Sequence, residues 1–192
     1  MKEGLSRARD FDQVRQAPHR RAGTQPRALT RIEAPVYAAK LRAPFAVLGI
    51  RTARARVVGI EYLPSHVRVL APSDALAERA CRQLERYLAD PQFRFTLPLA
   101  SEGTAFRQRV WRALLQIPIG ESRTYGELAR LLHSAPRAVG GACGANPIAL
   151  VIPCHRVVGT HGSLGGFMGM TVGEPIAIKR WLLSHEGYRF GA

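Results

Sequence analysis

A chain of 192 residues, 46% apolar and 22% charged, can bury one substantial core or two small ones, so its folding need not depend on disulfides or a structural metal. Its 28 basic residues against 14 acidic ones leave a formal charge of +14, which calls for an anionic partner. No apolar run approaches the length of a membrane span, and Cys81, Cys143 and Cys154 are odd in number and unevenly spaced, which excludes a membrane-spanning helix and a disulfide scaffold.

Residues 1–34 are polar, mostly basic and without hydrophobic periodicity, and read as a disordered tail. No charged segment followed by an apolar signal core opens the chain, so the expected location is the reducing cytoplasm. From Tyr37 the pattern turns strand-like: "PFAVLGIRT", "RVVGIEYLP" and "HVRVLAP" predict a small antiparallel sheet. "SDALAERACRQLERYLAD" follows as an amphipathic helix with Ser73 or Asp74 as N-cap and Leu76, Ala80, Leu84, Tyr87 and Leu88 on one face; Cys81 reads as a small buried hydrophobe. "DPQFRFTLPLASEG" has two prolines and no helical period, so it reads as an extended linker with a boundary near residue 100. These features define an N-terminal α/β domain over 35–100.

The second half opens with a helix, "TAFRQRVWRALLQI", that sets Phe106, Val110, Trp111, Leu114 and Leu115 at helical spacing. "TYGELARLLHSAPRAVGGACGANP" then divides into a short helix with Thr124 as N-cap and Glu127 completing a capping box, a turn at His133 to Ala135, and a second helix from Pro136. Two short helices joined by a tight turn outline a helix-turn-helix. Ala138, Gly140, Gly141, Ala142, Gly144 and Ala145 are poor choices for a helix that only fills a core. Small residues suit close approach, either to a groove of DNA or to another helix, and the sequence alone weighs the two equally. Nearly all the positive charge is Arg, with lysines only at Lys2, Lys40 and Lys179; guanidinium forks suit phosphates and base edges, although a GC-rich genome, which favours Arg and Ala, would also account for them.

"ALVIPCHRVVG" has the β-branched content of a buried extended segment, with Pro153 stiffening the approach to Cys154. A thiol reacts as its thiolate and needs a cation, a helix N-terminus or a base nearby. His155 is adjacent, yet neighbours on a strand point to opposite faces, so contact between them requires a local turn or a bridging water. Cys154, His155 and His161 lack the spacing of a tetrahedral metal site. A plain buried cysteine beside a surface histidine is the competing reading.

"IPCHRVV" resembles the active-site signature of the O6-alkylguanine-DNA alkyltransferases, and "TYGELA", "PRAVGGACGANP" and "KRWLLSHEG" occur in that family's order over residues from about 104 to 187. The resemblance implies that Cys154 accepts the alkyl group from O6-alkylguanine, and by extension O4-alkylthymine, in double-stranded DNA. It implies that His155 and Glu186 with a water draw off the thiol proton, and that Asn146 ties the recognition helix to the active-site loop. Tyr125 would help rotate the nucleotide and donate to the base, and Arg137 would fill the gap left in the duplex. Thr124, Pro136, Ala138, Gly140 and Gly141 would line the DNA contact, while Val157, Gly166, Phe167 and Met168 would form the substrate pocket. The sequence departs from the family pattern in the rim loop "GTHGSLGGFMGM", where Met168 and Met170 replace smaller residues and "TVGEPI" lengthens the connection, which bears on pocket width. With no cysteine before Cys81, the zinc site of some relatives is not expected, nor is any cofactor.

The expected fold is therefore α+β: a small N-terminal antiparallel sheet with a helix, then a mostly helical C-terminal domain over 101–192 that holds the helix-turn-helix and the alkyl acceptor. The expected chemistry is one irreversible displacement at a sulfur already ionised at neutral pH, in a monomer whose cooperativity on DNA is left open. A lesion sensor is disfavoured because the acceptor is present. A plain regulator has no use for the PCHR segment, and a hydrolase would need a water-activating arrangement that the sequence does not offer.

Overall fold

The computed structural model describes residues 36–161 and 163–190; the tail expected over 1–34 lies outside them. Residues Pro35–Ala192 form one compact unit. Strands β1 (Ala39–Arg42), β2 (Val47–Ala53) and β3 (Arg56–Leu63) form an antiparallel sheet in the order β1-β2-β3. Two of the expected strands are β2 and β3. The third, "HVRVLAP", contributes only a bridge from Leu70 to Lys40, and Val69 and Leu70 stay about half exposed at 48% and 45%. Bounded by Pro64 and Pro72, it pairs only at Leu70 and lacks the buried face that a strand requires. The edge position belongs instead to β1.

Helix α1 (Ala75–Ala89) packs on this sheet and resolves the choice of cap: Asp74 accepts from the Ala77 amide at 2.8 Å and from the Thr52 hydroxyl at 2.7 Å, tying the helix start to β2. Ala77, Ala80, Cys81, Leu84 and Tyr87 face inward, and each large apolar side chain so buried contributes on the order of 1.5–3 kcal/mol. Burial pushes the Cys81 thiol up to about 11, as befits an inert core residue.

The β3 backbone anchors the second half of the chain. Val57 bridges Leu99 of the linker, and Ile60 bridges Ile148, its amide donating to the Pro147 carbonyl and its carbonyl accepting from Ala149. The approach to "PCHR" is thus laid directly on the N-terminal sheet. Helix α2 (Ala105–Leu114) buries Val110, Trp111 and Leu114, and the Trp111 indole donates to the Ala142 carbonyl at 2.9 Å. A short strand β4 (Arg123–Thr124) leads into α3 (Tyr125–Leu131), whose Thr124–Glu127 capping box forms as expected, and α4 (Pro136–Gly144) starts on its proline. Strand β5 (Val157–Val158) pairs parallel with β4, and α5 (Glu174–His185) closes the fold. One apolar cluster joins both halves, from Ile50 and Leu84 to Trp111, Val139, Ile152 and Leu182. Among the described residues no helix is long and apolar enough to cross a membrane.

Candidate active site and nucleic-acid interface

The segment read as extended turns sharply at the thiol. Pro153 sits at φ −83°, ψ 65°, and the Cys154 amide donates to the Ile152 carbonyl at 2.8 Å, an inverse γ-turn. A single turn of 3-10 helix over Cys154–Arg156 follows. The sequence pattern missed this turn because β-branched content reports burial as much as extension. Asn146, just beyond α4, donates through Nδ2 to the Ile152 carbonyl at 2.8 Å and to Cys154 Sγ at 3.3 Å, while its Oδ1 accepts from the Ile148 amide. One side chain thus fastens the helix-turn-helix to the sulfur.

No hydrogen bond joins the sulfur to His155, whose imidazole is fully buried. Its Nε2 lies 3.1 Å from Glu186 Oε1, and Glu186 also receives Arg156 Nε and a terminal guanidinium nitrogen, each at 2.8 Å, and the Tyr87 hydroxyl at 2.9 Å. Burial alone would raise the Glu186 carboxyl; the hydrogen bonds from His155 and Arg156, with the adjoining charge, outweigh it and hold the group well below the usual carboxylate range. A carboxylate only accepts, so Nε2 carries the ring proton and Nδ1 is a lone pair, buried without a partner. Burial lowers the imidazole pKa against the pull of Glu186, which leaves His155 neutral at pH 7. Cys154 moves opposite to expectation: burial raises its pKa, and the Asn146 bond and the Lys179 charge only partly offset that. The resting sulfur is a thiol, not a standing thiolate.

Cys154 opens into a cleft of about 1020 Å³ walled by Tyr125, Arg137 and the glycines of α4 on one side and by Gly166 to Thr171 on the other. Lys179, fully buried on α5, donates to the carbonyls of Val157 (2.5 Å), Leu164 (2.5 Å) and Gly166 (3.1 Å), and burial lowers its pKa to about 8. The Tyr125 hydroxyl also donates to Gly166 O, at 2.9 Å, so it must leave that carbonyl to reach a base. Its ring accounts for Gly165, where a Cβ would lie 2.8 Å away and φ is +65°. The rim ends in a tight reversal, Phe167 and Met170 exchanging both backbone bonds around Met168 (φ 52°) and Gly169 (φ 78°). Those dihedrals match a type I′ turn.

Helix α4 buries Val139 and Ala142 and exposes Pro136, Arg137, Ala138, Gly141 and Gly144. A Cβ added at Gly141 or Gly144 would meet nothing within 4 Å, and one at Gly140 would only touch the Tyr125 ring at 3.8 Å. Gly141 and Gly144 therefore look outward and are not packed against a helix, whereas Ala142, on the other face, is buried against α2.

Not every expected residue lies on the cleft. Val157 is wholly buried, its carbonyl held by Lys179, and stands behind the wall. Thr124 is half-buried with its hydroxyl engaged in the α3 cap, while Asn146, His155 and Glu186 back the sulfur from within. Met168, Gly166 and Phe167 do line it. Sequence reasoning gave no role in the site to Lys179, Arg156, Tyr87 or the cleft-lining Cys143, whose thiol burial pushes up to about 12. A lysine between Ile178 and Leu182 on a helix was the available signal for the first. Among the described residues no group of three or more His, Cys, Asp or Glu is placed to hold a metal.

The pattern of the family described as 6-O-methylguanine DNA methyltransferase, DNA binding domain, matches residues 105–188. A methylated-DNA–protein-cysteine methyltransferase of Methanosarcina acetivorans is 48% identical over 110 residues, spanning 56% of this chain and 67% of the relative. The crystal structure of the Mycobacterium tuberculosis O6-methylguanine methyltransferase superposes with a TM-score of 0.67 at 35% identity, covering 79% of this chain and 93% of that one. A structure of the mycobacterial protein in complex with DNA aligns with a TM-score of 0.66 at 38% identity over 77% and 90% of the two chains. With relatives this similar matched over two thirds or more of their length, the chain belongs to the methylated-DNA–protein-cysteine methyltransferase family.

Proposed function

We propose that the protein repairs double-stranded DNA by moving the alkyl group of O6-alkylguanine, and of O4-alkylthymine, onto Sγ of its own Cys154, once per molecule. The observation that carries this is a buried thiol at the floor of an open cleft, with an exposed glycine face beside it and a neutral imidazole behind it.

The target substituent is hidden in the stack, so the nucleotide is turned out into the cleft at a cost of a few kcal/mol. Arg137, exposed at the first turn of α4, takes the vacated place and offsets part of that cost. Ala138, Gly141 and Gly144 let the backbone sit close in the minor groove, where little sequence is read, as a repair protein requires. Phosphate contacts from the arginine-rich surface supply affinity without sequence preference.

In the reaction the sulfur attacks the alkyl carbon, the carbon–oxygen bond breaks, and its electron pair stays on the base. His155 Nδ1 takes the thiol proton through a bridging water, and Glu186 stabilises the resulting imidazolium. The proton released is the one that the restored guanine needs at N1. Tyr125, leaving Gly166 O, donates to the purine as charge builds, and Lys179 keeps the carbonyl occupied. The product is a neutral thioether, whose carbon–sulfur bond water does not displace at neutral pH, hence single use. Met168 and Met170, flexible and about half exposed at 43% and 51%, set the room left for larger alkyl groups.

In this reading residues 35–100 brace the site, residues 101–192 react, and the protein works in the cytoplasm as a monomer, several copies being able to line up on DNA. The test is mass measurement after incubation with an O6-methylguanine duplex: one methyl on the Cys154 peptide is expected. Methyl on Cys81 or Cys143, or an untouched lesion, would overturn it.

A further inference from the structure

Glu186 is held from both halves of the chain. Arg156 and His155 reach it from the reactive turn, and Tyr87 reaches the same oxygen as His155, Oε1, from α1, ninety-nine residues away in sequence. The Tyr87 ring has no freedom to choose another partner. It is 1% exposed, lies edge-on to His185 at 5.3 Å and tilted against Phe95 at 5.4 Å, and its own carbonyl is bound by His185 Nε2 at 2.8 Å. Phenylalanine would fill this slot as well. The hydroxyl adds nothing to packing and costs desolvation, which only its bond to Glu186 offsets.

We infer that Tyr87 is a positioning residue of the alkyl transfer: its phenol, delivered by the N-terminal half, orients the relay carboxylate and limits how strongly that carboxylate draws a proton onto His155. This rests on the alkyl-transfer reading above. With three donors on Oε1, the carboxylate shares its charge, the imidazole stays neutral at rest, and Nδ1 is free to act as base. Remove the phenol and Glu186 holds the Nε2 proton more tightly, so His155 protonates at higher pH and is lost as a base sooner on acidification.

The groups facing the imidazole are Cys154 and Arg156 in its own turn, Glu186 and Lys179 from α5 and its C-terminus, Tyr87 from α1, and Tyr62 of β3, which lies close to Cys154 and Glu186. Of these the thiol, the lysine and the phenols titrate on the basic side and Glu186 far on the acidic side, so the acid limb of the rate belongs to His155.

The experiment is single-turnover methyl transfer from an O6-methylguanine duplex by the full chain, followed from about pH 5 to about pH 9. Tyr87→Phe should move the acid-side midpoint up by about 0.5–1 pH unit. Site-specific 3-fluorotyrosine at position 87, a stronger donor of nearly the same shape, should move it down; this second protein also answers the question if Tyr87→Phe does not fold. A purely structural role gives no such reversal of sign. Midpoints that coincide with wild type, or that move the same way in both proteins, overturn this inference alone. A wild-type protein inert at every pH overturns the reading beneath it as well.

Discussion

Behind the Cys154 sulfur, every charged group is bound more than once. Glu186 accepts four hydrogen bonds, Arg156 grips both that carboxylate and the Ile117 carbonyl, and Lys179 holds three carbonyls. In front of it, the cleft wall is glycine facing open space, an exposed arginine, and two methionines on a reversing turn. The contrast separates two tasks. Proton transfer needs groups fixed before the substrate arrives, because their reorganisation would add to the barrier. In the reading proposed above, reception of a distorted duplex needs a surface with little of its own to displace. Substitutions on the two sides should therefore fail differently: behind the sulfur through chemistry and folding together, in front of it through DNA alone.

The largest effect should come at the junction. Cys154→Ala should abolish transfer while leaving duplex binding intact by gel shift; loss of both would mean that the sulfur belongs structurally to the rear network. Next, Glu186→Gln should destabilise the fold by about 3–5 kcal/mol in a urea titration, because it leaves the buried Arg156 charge unmatched. Its pH signature comes from the sign of the shift. Glu186 is depressed in the folded state, so its contribution is complete above the ordinary carboxylate range and is lost as pH falls through and below it. Wild-type stability should thus decline on acidification more steeply than that of Glu186→Gln. On the front side, Arg137→Ala should slow transfer on duplex roughly tenfold to a hundredfold, as the loss of about 1.4–2.7 kcal/mol of transition-state stabilisation implies, and leave the free base nearly unaffected. Equal slowing on both would remove the intercalating role. The smallest effect is the sharpest: Gly141→Ala should raise stability by about 0.5–1 kcal/mol, since alanine favours an exposed helix, yet weaken duplex binding. Improvement in both would deny that α4 approaches a groove.

Legibility in the sequence tracks the range of the interactions. The Thr124–Glu127 box, the α4 start at Pro136 and the inward face of α1 are local patterns, and each was readable within a turn or two. The turn at Pro153 was not, because β-branched neighbours describe a buried path without saying whether it bends. "HVRVLAP" misled for the same reason: its β-branched run suited a strand, but it meets the sheet only where Leu70 bridges Lys40 of β1. Tyr87 reads as one more apolar position of an amphipathic helix, and Lys179 only as one of three lysines without a role. Their roles depend on atoms that only folding brings together, Glu186 in one case and the rim carbonyls in the other. Family resemblance supplied Asn146, His155 and Glu186 ahead of the structure, and the arrangement of their hydrogen bonds is what the fold adds.

The two tryptophans lie beside different parts of this arrangement. The Trp111 indole is bonded to the Ala142 carbonyl beneath α4, whereas Trp181 stacks at 4.7 Å on His185, the residue that backs Tyr87. In the reading proposed above, Trp111 emission should respond to a duplex seated on α4 and Trp181 emission to the proton-handling side. Retaining either tryptophan while replacing the other with phenylalanine would let a stopped-flow record of emission time docking and proton movement separately, without attaching a dye.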